Sequence, residues 1–463
     1  MTEQLKLKLN DSKATRWGAL VIVAFTMMAA YYVNDVVAPL KTMLETDLAW
    51  SSTDFGFFTG GYSFLNVFFL MLIWGGLILD RFGIRFTGKL ATILMVGGTA
   101  LEYYAMTGLA GADATLFGIN EIFGYKTGVF VAFAGYSIFG VGAEVAGITV
   151  SKIIAKWFKG KELATAMGGQ VALARIGSQA GYAVAIPLAR AFGISTPVLL
   201  GLVLLLGGMI AFFIFAVMDK KLDKQMEAAA IAAGTEDEEE KFSFKDVKNI
   251  LVNPGFWLIA LLCVLFYSCV FPFQKFASEL MIIKYGINEN VAGTFAGLPA
   301  LGALILTPVF GGFIDKRGKS ASIMLLGSAM LICVHFIYAI PDINYWLVAI
   351  VLMIILGIAF SLVPSAMWPA VAKIFPVSQL GTAYALIFFI QNIGLWGIPT
   401  LIGWVLDAYC ISGKKPDGTN MYDYTVPMCI FTGIACLSLI VALLLKKADK
   451  KYGYKLEEPN IQK

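Results

Sequence analysis

Gly76-Leu77-Ile78-Leu79-Asp80-Arg81-Phe82-Gly83-Ile84-Arg85 is echoed 235 positions later by Gly311-Gly312-Phe313-Ile314-Asp315-Lys316-Arg317-Gly318-Lys319. Each copy closes one long apolar run and opens another. Its glycines allow a tight turn between two helices. Its aspartate is expected to pair with the basic residues beside it and to cap the following helix, whose positive end favours an anion. One such turn per half of the chain points to a duplicated membrane bundle.

Composition supports this. Hydrophobic residues make up 59% of the 463 and charged residues only 14%, too apolar for a water-soluble surface. Apolar runs fall at about 17–40, 55–79, 88–109, 127–150, 162–189 and 196–218, then at about 255–283, 289–314, 320–341, 343–372, 378–406 and 425–446. Each is long enough to cross a bilayer. The expectation is an all-α integral membrane protein with twelve transmembrane helices in two pseudo-symmetric bundles. The divisions are an N-terminal bundle (1–218), a linker (219–253), a C-terminal bundle (254–446) and a tail (447–463). The linker holds Glu236-Asp237-Glu238-Glu239-Glu240, a like-charge run expected to be solvated and mobile.

Basic residues orient the bundle. Of 35 lysines and arginines, 27 fall in the set of loops that includes both termini, six fall in the opposite loops, and Arg175 and Lys275 lie inside spans. The bias of basic residues toward cytoplasmic loops puts both termini in the cytoplasm. The first 16 residues are polar and lead into a full-length span, so no cleavable signal peptide is expected. The mild positive charge belongs to these loops and carries no signal for nucleic acid.

Ionisable groups inside spans are costly and usually functional. Glu144 in the fourth span and Arg175 in the fifth stand out. At about 1.5 Å per residue they lie roughly 18 and 21 Å above the cytoplasmic helix ends, at matched depth on consecutive helices. Two readings fit: a buried ion pair tying the helices, or a clamp in which the carboxylate takes an ammonium and the guanidinium a carboxylate. With the cavity empty, the pair is expected to close on itself. Other expected site residues are Gln170, Tyr62, Asn392 beside Gln391, and Trp368. This tryptophan lies between Pro364 and Pro369, which should bend or break the tenth span. Asp35 is a candidate proton site. Lys275 and Glu279, spaced i, i+4, suit a local pair. His335 is read as a packing residue. The cysteines lack metal-ligand spacing, no phosphate-cradling loop is present, and neither cofactor nor enzymatic constellation is expected.

These blocks resemble the lysosomal dipeptide transporter branch of the major facilitator superfamily. The stretches that carry the resemblance are Gly142-Ala143-Glu144, Trp157-Phe158-Lys159-Gly160-Lys161-Glu162-Leu163, Ala174-Arg175-Ile176-Gly177-Ser178, Phe271-Pro272-Phe273 and Trp368-Pro369. The glycine–aspartate turns mark the superfamily alone. The resemblance implies that Glu144 and Arg175 hold the two ends of a dipeptide, that Trp368 lines the pocket, and that transport is facilitated. From their place in the duplicated turns, Asp80, Arg81, Arg85, Asp315 and Lys316 are expected to latch the cytoplasmic side in the outward-open state. Helix 1 reads Asn34-Asp35 where the branch has the reverse order. Animal members carry a lysosomal sorting signal and a glycoprotein accessory subunit; here a bacterial inner (plasma) membrane carrier without accessory subunit is expected, with the bilayer and a small substrate as partners. The competing functions are a proton-coupled carrier of another organic anion, with Glu144 as proton site, and a solute sensor that transports nothing.

Overall fold

The structure, a computed structural model, describes residues 8–111, 114–158, 161–233 and 244–459. The acidic run 236–240 and the Lys159-Gly160 pair lie outside the described residues. The chain opens with α1 (Lys13–Val36), a short 3-10 turn, α2 (Lys41–Asp47), α3 (Ser52–Phe68) and α4 (Met71–Thr107). A hairpin of β1 (Glu121–Ile122) and β2 (Tyr125–Lys126) precedes α5 (Thr127–Trp157), α6 (Leu163–Phe192) and α7 (Thr196–Ala233). Then come α8 (Phe244–Val252), α9 (Pro254–Tyr285), α10 (Glu289–Ala296), α11 (Leu298–Arg317), α12 (Ser320–Ala339) and α13 (Trp346–Ile374). α14 (Val377–Tyr409), a hairpin of β3 (Ile411–Lys414) and β4 (Asn420–Tyr422), and α15 (Thr425–Tyr452) complete the order.

Twelve spans result, six per half. The second begins as α3 and bends by 58° into α4, through Leu70, whose φ is +53°. The third is the rest of α4 beyond Gly83. That glycine (φ 77°, ψ 173°) alone breaks the helical path, and Gly318 (φ 68°) makes the matching turn 235 positions later. Each copy of the duplicated motif therefore turns at a glycine whose backbone conformation side chains resist, and in the second copy Lys319 (φ 69°) follows it into the left-handed region. Asp80 and Arg81 remain helical, so Asp80 does not cap the next helix as expected. Its carboxylate instead takes Lys152 of α5 at 3.0 Å. α6 is missing from the described helices that qualify as spans on hydropathy; it carries Gln170, Arg175, Gln179 and Arg190. A span that lines an internal gap does not need an apolar face all round.

The halves are tied together at the end away from the termini. Lys41 of α2 bonds Glu45 and, across the interface, Glu279 of α9, each at 2.5 Å. Lys415, at the β3–β4 turn, stands 3.6 Å from both glutamates. Asp407 of α14 accepts from the backbone N–H groups of Ser52 and Thr53, at 3.3 and 2.5 Å, and so caps the start of α3 from the opposite half. Arg190 meets Glu289, and Gln179 donates to the Thr294 carbonyl. On the termini side, the named pairs stay inside one half: Arg16–Glu162, Asp80–Lys152 and Arg85–Asp223. The named cross-half pairs thus tie the halves at the end away from the termini.

Two stretches differ from the expected linker and tail. α7 continues to Ala233, and Asp219, the first linker residue by sequence, is buried. It accepts from Lys156 at 2.7 Å and from Trp157 Nε1 at 3.0 Å. Beyond α15, residues 453–459 fold back as a strap. Leu456 is fully buried, its N–H donates to Asp449, and Ser320 N–H donates to its carbonyl. Glu457 accepts from Ser322, and Lys373 donates to the Glu458 carbonyl at 2.6 Å.

Candidate substrate site

Two close helix approaches place the central charges. A Cβ at Gly140 would stand 2.0 Å from the Tyr62 carbonyl, and one at Gly177 would stand 2.1 Å from the Met28 carbonyl. Only glycine lets α5 lie this close to α3, and α6 to α1. The first contact brings Tyr62 to Glu144, whose Oε1 accepts from the tyrosine hydroxyl at 3.0 Å. The second sets Arg175 beside α1. Its guanidinium lies over Tyr31 at 5.5 Å and over Phe360 of α13, from the other half, at 4.9 Å.

Glu144 and Arg175 do not close on each other. Among the described residues, no carboxylate stands within ion-pair distance of Arg175, and Tyr62 is the bonded partner of Glu144. The expected empty-state pair is therefore corrected: each charge is held by uncharged aromatic groups, Glu144 by Tyr62 and Arg175 by rings from both halves. An unpaired charge in a span is costly, and cation–π contacts offset only part of that cost. The arrangement leaves both groups able to take a ligand's opposite charge.

The wall facing Arg175 is aromatic. Phe360 meets Phe271 edge-on at 5.3 Å, and Phe271 stacks on Tyr267 at 5.5 Å. Tyr267 lies 6.5 Å from Trp368, which stacks on Phe388 at 4.8 Å. The Trp368 carbonyl accepts from Tyr384 at 3.0 Å. α13 runs unbroken through Pro364 and Pro369, so the expected break at Trp368 is absent. Gln170 is half-buried, five positions nearer the termini end than Arg175. Asn392 is 1% exposed and donates to the Phe388 carbonyl of its own helix at 2.9 Å, leaving its Oδ1 without a partner. Neither touches the Glu144–Arg175 core in this state.

The expected local pair of Lys275 and Glu279 is also corrected. Lys275 reaches across to Asn34 O at 2.5 Å, Asp35 Oδ1 at 3.3 Å and the Tyr136 hydroxyl at 3.4 Å, while Glu279 goes to Lys41. Asp35 is thus an inter-half partner, with Asn34 also donating to it at 2.8 Å. Of the expected latch residues, Arg85 joins Asp219 and Asp223 within its half. Arg81 lies over Phe82, Asp315 is half-buried near Lys373, and Lys316 is exposed. His335 is buried against Phe273 and Phe431, a packing position. Tyr31, Tyr267 and Phe360 were not singled out by sequence. As aromatics in an aromatic-rich apolar chain they carried no distinguishing signal. Glu102 did carry one, as an acid inside a span.

The fold and this core define a solute carrier. The Major Facilitator Superfamily profile matches residues 20–399 and 273–458, and the chain belongs to that family. Within it, the chain is similar to proteins named lysosomal dipeptide transporter MFSD1. The Homo sapiens protein of that name is 29% identical over 454 residues, covering 95% of this chain and 88% of the relative. The Danio rerio protein is 26% identical, over 93% of this chain and 86% of the relative. The nucleoside transporter NupG, solved as a point mutant, shares the fold at TM-score 0.68 and 12% identity, covering 92% and 98% of the two chains. A D-xylose-proton symporter shares it at 0.64 and 15%, covering 93% and 97%. The chain is a multi-span membrane transporter of a small molecule.

Proposed function

We propose that this chain carries small zwitterions, dipeptides foremost, by alternating access and down their gradient. The observation that carries the reading is two opposite charges at matched depth on adjacent helices, each held by uncharged partners and neither spent on the other. Glu144 takes the ligand ammonium, and Arg175 takes the carboxylate through its planar two-donor face. The side chains of the ligand lie along Phe360, Phe271, Tyr267 and Trp368, an apolar wall that sets no single shape and suits a broad range. The curated relatives' description as dipeptide transporters supports the same ligand class. The basic-residue asymmetry supports cytoplasmic termini. The tied end then faces outward, and solute exchanges with the cytoplasm in this state.

The test is binding of one dipeptide, its N-acetyl form and its C-amide to wild type, Glu144→Ala and Arg175→Ala. An uncompensated buried charge costs on the order of 3–5 kcal/mol, so each variant loses at least about a hundredfold at about 1.4 kcal/mol per decade. Acetylation weakens wild type far more than Glu144→Ala, and Arg175→Lys stays impaired. Equal wild-type affinity for all three ligands refutes the clamp. Loss only with the C-amide turns the reading toward an organic anion carrier.

A further inference from the structure

Glu102 of α4 is fully buried, and neither of its carboxylate oxygens has a hydrogen-bond partner among the described residues. The substrate reading makes no use of it. Ionisable groups face it from the elements packed around it. Tyr136 comes from α5 and Lys275 from α9, both within electrostatic reach of the carboxylate. Asp35 of α1 shares Lys275 with it. Tyr182 of α6 adjoins Asp35, and Tyr62 of α3 adjoins Tyr136. α7 carries no ionisable side chain between Thr196 and Met218. The pocket therefore holds one cation and two carboxylates.

Lys275 makes its contacts with Asn34, Asp35 and Tyr136. A second negative charge, on Glu102, would have no donor and no spare cation in a site sealed from water. We propose that Glu102 is a proton-binding site, filled whenever the two halves are docked at the outer end, and that its proton comes from the outer side. Lys275 belongs to one half and all three of its bonded partners to the other. When the outer end parts, Lys275 withdraws and water reaches the pocket. Hydrated, Glu102 releases the proton by simple dissociation of its O–H bond, and takes one back on closure. The docked state holds one proton more than the open state. Acid therefore favours docking, by tenfold per pH unit over the interval in which Glu102 differs in occupancy between the two states. The device needs no substrate and stands independently of the dipeptide reading.

The experiment uses the full chain in detergent, without substrate, with spin labels at Asp47→Cys and Ser412→Cys in a background lacking the native cysteines. Both label sites are exposed, one in each half, at the outer end. Dipolar distance distributions measured from alkaline to acid pH give the ratio of open to docked molecules. In wild type this ratio falls toward acid. In Glu102→Gln it stays near the wild-type acid value, and its pH slope is shallower by one proton; Glu102→Leu behaves alike. Other groups, including Glu45 and Glu279, titrate equally in all three. A wild-type ratio that is flat or rises in acid, or a wild-type slope in both variants, overturns the proposal. So does failure of both variants to accumulate folded, because a group held neutral must tolerate neutral replacements.

Discussion

Glu279→Gln should move this carrier out of the docked state described here. Glu279 and Glu45 alternate with Lys41 and Lys415 in a ring of two cations and two anions, at 2.5 Å from Lys41 and 3.6 Å from Lys415. The ring spans the interface, so it exists only with the outer end closed. The side chains of Lys41 and Glu279 are each 1% exposed. Neutralising Glu279 leaves two lysines facing one glutamate. Removing one partner of a buried pair costs about 3–5 kcal/mol, and the whole cost falls on the docked state. At about 1.4 kcal/mol per tenfold, the open-to-docked ratio rises by two to three and a half decades. Conformers of such carriers differ by a few kcal/mol, so the population should invert. Lys415→Met should do less: its ion pairs are looser, and its loss leaves Lys41 still bonded to both glutamates. Dipolar distances between labels at Asp47 and Ser412 read the ratio directly. A distribution unchanged in both Glu279→Gln and Glu45→Gln would refute the ring as an outer latch.

Three further outcomes are expected. Tyr62→Phe removes the bonded donor of Glu144, a loss of about 1–3 kcal/mol for a buried acceptor; dipeptide affinity by calorimetry should fall roughly tenfold, with expression retained. Asp80→Asn breaks an exposed pair with Lys152, worth at most about 1 kcal/mol here. Transport should drop if Asp80 also latches the outward-open state, whereas collapsed expression would make the residue structural. Leu456→Asp puts a charge where the strap is fully buried, and should lower the melting temperature by several degrees without changing the Glu144–Arg175 affinity ratio for dipeptide over its N-acetyl form.

The fold was legible because duplication writes the same turn twice. Gly83 and Gly318 each take a positive φ inside the quoted motif, joined in the second copy by Lys319 (φ 69°). Glu144 and Arg175 were legible because a charge within a span is conspicuous and helix rise fixes its depth. Their mutual avoidance was not, since depth says nothing about which way two side chains turn. The fate of Lys275 and Glu279 shows the same limit. Spacing i, i+4 places them on one helix face, but their partners stand 240 and 238 positions away in the other half. What faces a helix depends on how the halves are docked, and periodicity along one helix carries no record of that. Of the bend or break expected at Pro364 and Pro369, the break does not occur: α13 continues as one helix through both.

The cap that Asp407 lends to α3 has a consequence for each turnover. The Ser52 and Thr53 amides find their carboxylate only in the opposite half. Every excursion that parts this end of the halves must strip them of it and hand them to water, so the first turn of α3 loosens each time. Those two amides become a clock: their deuterium uptake should proceed only while that end is open, and saturating ligand that speeds the cycle should speed their exchange, while the interior of the same helix stays protected.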